Sequence, residues 1–240
     1  MKESTKTLRK VAIFDIDGTI FRSSLLIELV EVLIEMELFP VSVRTQYQKE
    51  KVKWLDRQGD YEAYIMAVVK VFMENIKGLP YRDFMSASEF VVERYRHRTY
   101  LFTENLIKNL KKEGYYLLAI SKSPKGTLDL FCNDVGFDKT YGMLYETGAT
   151  ECFTGQVIDE HLIQNKANIV RRAVEKEGLT LEGSVGVGDT EGDISFLELV
   201  ERPICFNPNL KLYKYAKRMG WETVVERKDV IYKLNKETII

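Results

Sequence analysis

Four apolar runs along the chain each stop at a polar residue: "VAIF" before Asp15, "YYLLAI" before Ser121, "SVGVG" before Asp189 and "PICF" before Asn207. Apolar runs of this length, bounded by turn residues, predict buried strands. A weaker fifth, "ETVVE", follows Trp221. The stretches "TENLIKNLKKEG", "GTLDLFCNDVGF", "KANIVRRAVEKEG" and "DISFLELV" lie between them and read as helices, several ending at a glycine (Gly114, Gly136, Gly178, with Gly220 further on). Strands alternating with helices predict an α/β fold, a parallel sheet covered on both faces.

Between Arg22 and about Tyr100 that alternation stops. Tyr61, Tyr64, Ile65, Val68, Val69 and Phe72 follow helical spacing. So do Leu25, Leu26, Leu29, Leu33 and Met36, and again Phe84, Phe90, Val91 and Tyr95. Breaks at Pro40, Gly59 and "KGLP" divide the region into roughly four helices, a small bundle inserted after the first strand. From Thr140 to Ile158, "YGMLY", "ETGATE" and "CFTGQVI" predict a hairpin on the sheet. The expected division is residues 1–21 and 101–240 for the α/β core and 22–100 for the helical insert.

Composition adds mostly exclusions. In 240 residues, 35 Lys and Arg balance 36 Asp and Glu. A net charge of -1 gives no global attraction to nucleic acid or anionic lipid. Three scattered cysteines, Cys132, Cys152 and Cys205, fit neither a disulfide framework nor a zinc site and suit a reducing compartment. The charged start "MKESTKTLRK" is no signal peptide, and glutamates interrupt "LLIELVEVLIEMEL", so no membrane span is expected. A cytoplasmic protein is the expectation; its oligomeric state is open.

In a parallel α/β sheet, ligands bind beyond the carboxyl ends of the strands. Asp15, Asp17, Ser121, Asp189 and Asp193 should therefore converge, with Lys166 opening the helix before the third strand. Gathered carboxylates repel unless a cation sits among them, and an all-oxygen set beside a phosphate suits Mg²⁺. Such a set fits phosphoryl transfer, which is mainly positioning and charge neutralisation.

"DIDGT", "LLAIS", the lysine of "NKANIV" and "GVGDTEGD", in that order, resemble the four motifs of the haloacid dehalogenase-like phosphatase superfamily. The helical insert resembles that superfamily's cap. The hairpin "ETGATECFTGQV" and the tail "RPICFNPNLKLYKYAKRMGW" resemble its phosphoserine-phosphatase-like branch. The resemblance implies a Rossmann-like core and a Mg²⁺-dependent phosphomonoester hydrolase acting on a small phosphorylated metabolite. It makes Asp15 the nucleophile, Asp17 the acid–base residue and Lys166 the cation offsetting the charge shared by nucleophile and phosphate. Ser121 would bind the phosphoryl group. Asp15, Asp189 and the Asp17 carbonyl would hold Mg²⁺, with Asp193 behind them, on a water of the ion or on Lys166.

Two departures bear on the substrate. Lys122 stands where such families more often carry a small residue; it either adds a phosphate contact or points to solvent, and exposed lysine is the commoner state. Ser24 stands where phosphoserine phosphatases carry a glutamate that reads the amino group, so free phosphoserine should be a poor substrate unless another acid of the insert, such as Glu28 or Glu31, substitutes. A phosphoserine phosphatase proper, a phosphotransferase or mutase on the same scaffold, and a catalytically silent phosphate-binding module are the alternatives. His97 in "ERYRHR" reads as part of a solvated face, with a phosphate-steering patch as the alternative, and the isolated His161 as a loop residue; Trp54, near Tyr47 and Lys51, reads as core packing, with reach to a substrate from the insert as the alternative.

Overall fold

The computed structural model describes residues 8–158 and 165–234; His161 lies outside them. Its strands are β1 (Arg9–Phe14), β2 (Tyr116–Pro124), β3 (Lys139–Thr147), β4 (Phe153–Ile158), β5 (Leu179–Gly188), β6 (Arg202–Phe206), β7 (Glu222–Arg227) and β8 (Val230–Leu234). They form one sheet in the order β4-β3-β2-β1-β5-β6-β7-β8. Pairing is parallel throughout the centre and antiparallel at the two outer pairs, β3–β4 and β7–β8. β1 sits in the middle because its alternate side chains are buried on opposite faces. Val11 and Ile13 pack with Leu118, Ile120 and Ile169 on one side, and Ala12 and Phe14 join Leu117, Ala119 and Val187 on the other.

The second of these cores continues into the insert, whose helices are α1 (Leu25–Glu35), α2 (Val43–Leu55), α3 (Tyr61–Asn75) and α4 (Tyr81–Tyr95). Leu29, Leu33, Tyr64, Val68, Phe72, Phe84 and Val91 are all buried in it, as their helical spacing predicts. Met36 and Phe90 are exposed instead. Met36 caps the end of α1, and Phe90 lies under the Arg94 guanidinium at 4.2 Å, on the solvent side of α4. The insert's two connections run side by side: the Tyr100 amide donates to the Ile20 carbonyl at 3.0 Å and the Arg22 amide to Arg98 at 2.9 Å.

The remaining helices are α5 (Leu101–Lys112), α6 (Lys125–Val135), α7 (Lys166–Glu177), α8 (Ile194–Leu197) and α9 (Leu210–Met219). α6, α7 and α9 stop at left-handed glycines, Gly136, Gly178 and Gly220. "DISFLELV" yields only the four-residue α8, preceded by one 3-10 turn at Glu191–Asp193. β3 begins earlier than its pattern predicts: Lys139–Tyr141 pair with β2 before the strand leaves to form the hairpin with β4. β8 carries no buried residue, so its short run gave no core-facing alternation to read.

Candidate active site

β1, β2 and β5 end side by side, and each delivers a polar group at its carboxyl end. Beyond β1 the chain turns tightly, the Ile16 carbonyl accepting from the amides of Thr19, Ile20 and Phe21. Gly18 has φ +80°, and the Asp189 carboxylate fills the place a side chain would need. Glycine is therefore required twice over, and its absence of bulk lets the β1 loop close on the end of β5. The Thr19 hydroxyl donates to Asp189 Oδ1 at 3.4 Å across that contact.

Lys166, 4% exposed, lies between two carboxylates. Its Nζ donates to Asp15 Oδ1 and to Asp193 Oδ1, both at 2.6 Å. Burial alone would discharge this ammonium, but Asp15 and Asp193 outweigh it and raise the Lys166 pKa. Asp193 Oδ2 accepts from the amides of Asp189 at 3.0 Å and Thr190 at 3.1 Å, so both its oxygens are committed. Gly188 makes room for it: a Cβ there would stand 2.5 Å from Cβ of Asp193. Burial pushes the Asp15 carboxyl up to about 7; Lys166 pulls against the rise, and Asp193 and Asp17 add to it. Burial, Asp15 and Asp193 likewise raise Asp189 well above the usual carboxylate range.

Asp17 is held on three sides. Oδ1 accepts the Leu25 amide at the start of α1 at 2.6 Å, a position favourable to a negative charge. Oδ2 accepts the hydroxyls of Ser121 at 2.6 Å and Ser123 at 2.8 Å. Ser123 was not singled out in the sequence, although strand alternation places it on the same face as Ser121. Lys122, between them, is exposed. Ser24, the N-cap of α1, is buried next to the amide that holds Asp17 and makes no capping bond.

Asp15, Asp189 and Asp193 each offer an oxygen within 4.8 Å of the others. With Asp193 committed, Asp15 and Asp189 remain, and the Asp17 carbonyl accepts no backbone hydrogen bond among the described residues. One ammonium among three carboxylates leaves an excess of negative charge. The donor set therefore fits a hard dication that keeps part of its water shell.

Residues 12–198 match the family model for haloacid dehalogenase-like hydrolases. The chain belongs to that family. A histidinol-phosphatase of Neisseria meningitidis is 25% identical over 224 residues, covering 89% of this chain and 97% of that protein. A phosphoserine phosphatase of Archaeoglobus fulgidus is 26% identical over 204 residues, 83% of this chain and 53% of that protein. Among solved structures, a phospho-aspartyl intermediate analogue of phosphoserine phosphatase superposes with TM-score 0.62 at 22% identity, covering 92% of this chain and 95% of that one. A Bordetella pertussis protein of unknown function superposes with TM-score 0.69 at 16% identity, covering 90% and 98%. At these identities the structural likeness establishes the fold. Among the described residues, this hydrolase has no helix long and apolar enough to cross a membrane.

Proposed function

We propose that this hydrolase is a Mg²⁺-dependent phosphatase that cleaves small phosphomonoesters through an aspartyl phosphate on Asp15, with α1–α4 as a cap over the site. One observation carries the reading: Lys166 holds one oxygen of Asp15, while the other accepts no hydrogen bond among the described residues and remains available as a nucleophile. Attack by that oxygen on phosphorus would break the bond to the ester oxygen, which takes its proton from Asp17. Water would then cleave the aspartyl phosphate, returning a proton to Asp17 and releasing inorganic phosphate. Asp15, Asp189 and the Asp17 carbonyl would hold Mg²⁺, which would supply positive charge to offset that of the reacting phosphate.

The leaving alcohol is read as lacking an ammonium group. Ser24 supplies no charge, and both candidate acids of the insert are already paired. Glu28 Oε1 accepts from Arg98 at 2.9 Å, and Glu31 is bound by Arg44 and Tyr47, each at 2.8 Å. Phosphate release measured across a panel of metabolite phosphomonoesters, phosphoserine among them, tests the proposal. Turnover that needs Mg²⁺ and vanishes in a folded Asp15→Asn variant is expected, with phosphoserine among the poor substrates. Turnover retained in Asp15→Asn would refute the nucleophile.

A further inference from the structure

Two buried tyrosine hydroxyls are spent on protein partners, Tyr47 on Glu31 and Tyr115 on the Gly183 carbonyl, both at 2.8 Å. Tyr61 differs. Among the described residues its hydroxyl has no hydrogen-bond partner, although no wholly buried side-chain polar atom lacks one. Its oxygen therefore opens on a space rather than being sealed in packing. That space can be located. Tyr61 begins α3, and the next residue, Glu62, lies 3.7 Å from Lys211, which also pairs with Glu191. Glu191 is two residues beyond Asp189, so these pairs set the first turn of α3 beside the loop that carries the site. Burial raises the Tyr61 pKa, and the negative fields of Asp17, Asp189 and Asp15 add to the rise; at neutral pH the phenol is a donor.

The rings around it form a surface. Trp54 meets Tyr61 edge-on at 5.3 Å and stacks on Tyr64 at 5.9 Å, and Trp54 is partly open to solvent. Flat rings pack favourably on such aromatic faces and edges. Three acids of the insert, Glu28, Glu31 and Glu62, are each paired with a cation, and Asp60 is taken up in capping α3.

We propose that Tyr61 is a specificity-determining residue: its hydroxyl donates to a substrate oxygen in the space between insert and core, and its ring, with Trp54, selects esters of uncharged alcohols that bear a flat ring. The proposal rests on the phosphatase reading above.

Benzyl phosphate and propyl phosphate, both esters of uncharged primary alcohols, separate its two parts. The full-length enzyme should show a kcat/KM for benzyl phosphate about tenfold or more above that for propyl phosphate, the scale of discrimination by an apolar pocket. Trp54→Ala and Tyr61→Ala should bring that ratio to within about threefold. Tyr61→Phe should keep the ratio and lower kcat/KM for both esters about three- to tenfold, as for one lost uncharged hydrogen bond. An unchanged kcat/KM in Tyr61→Phe would overturn the donor. No benzyl preference in the wild type, or one that survives Tyr61→Ala, would overturn the wall. Absence of Asp15-dependent phosphate release from every ester would instead sink the parent reading, and this proposal with it.

Discussion

Asp17 accepts three hydrogen bonds, and they come from two elements distant in sequence. The Leu25 amide fixes Oδ1, and the two serine hydroxyls fix Oδ2. An acid–base residue must reach the ester oxygen within hydrogen-bond range, so groups that set its orientation influence kcat without touching substrate. Ser123→Ala should lower kcat about tenfold or more, the scale of a hydrogen bond to a charged group, with KM little changed; steady-state kinetics would show it. A larger change in KM than in kcat would mean that Ser123 acts on binding. Asp15, Asp17, Asp189 and Asp193 were legible in the sequence because each follows an apolar strand that ends in a turn. Lys166 was placed by its position at the start of the helix before β5, but its role came only from the ordered motifs. Ser123 was hidden because a serine two residues after another is unremarkable until β2 is known to extend to Pro124, which aligns both hydroxyls on Asp17. The engagement of Ser121 with Asp17 is likewise tertiary, invisible in any local pattern.

At the level of elements, the insert is fastened to the core on two sides, by its paired connections and by the β3–β4 hairpin. The Gly78 amide donates to the Phe153 carbonyl at 2.8 Å, the Phe153 amide to Leu79 at 2.9 Å and the Tyr81 amide to Glu151 at 2.8 Å. Phe153 then enters an aromatic group with Phe84 at 5.1 Å and Tyr81 at 5.8 Å. A second tie lies between α4 and α6, where the buried hydroxyls of Ser88 and Thr127 stand 2.7 Å apart. The turn-flanked runs around "ETGATE" reveal the hairpin; its attachment to residues 78–81 depends on complementarity between segments some seventy residues apart, which leaves no periodic trace. Phe153→Ala should destabilise the protein by about 3–5 kcal/mol through the cavity it leaves, read from denaturant unfolding. A cost below about 1 kcal/mol would show that hairpin and insert are held without this ring.

Across the whole molecule, the site stores electrostatic cost that the rest of the core must offset. Asp15 and Asp189 are both shifted upward by burial and by neighbouring carboxylates, so folding favours their protonated forms. For an acid raised in this way, the stabilising contribution is complete below the ordinary value of 3.8 and is lost as pH climbs through the folded value, about 7 for Asp15. Glu31 and Glu104 are shifted downward and contribute in the opposite sense: their share is present above 4.5 and is lost as pH falls below it. The metal-free protein should therefore lose stability at the site between about pH 5 and pH 8, where those surface glutamates no longer change. A dication competes with the protons for the same oxygens, so Mg²⁺ should raise Tm little at about pH 5 and most at about pH 8. At a hundredfold excess over Kd the gain is about 2.7 kcal/mol, or about 5–10 °C for a chain of this size. Asp189→Asn removes one repelling charge and one ligand together. Its metal-free form should be more stable than the wild type at about pH 8, with a flatter dependence on pH and no rise in Tm on adding Mg²⁺. Thermal unfolding followed by circular dichroism, with and without chelator at both pH values, measures each part. A wild-type Tm that responds equally to Mg²⁺ at both pH values would show that the ion does not bind at these carboxylates.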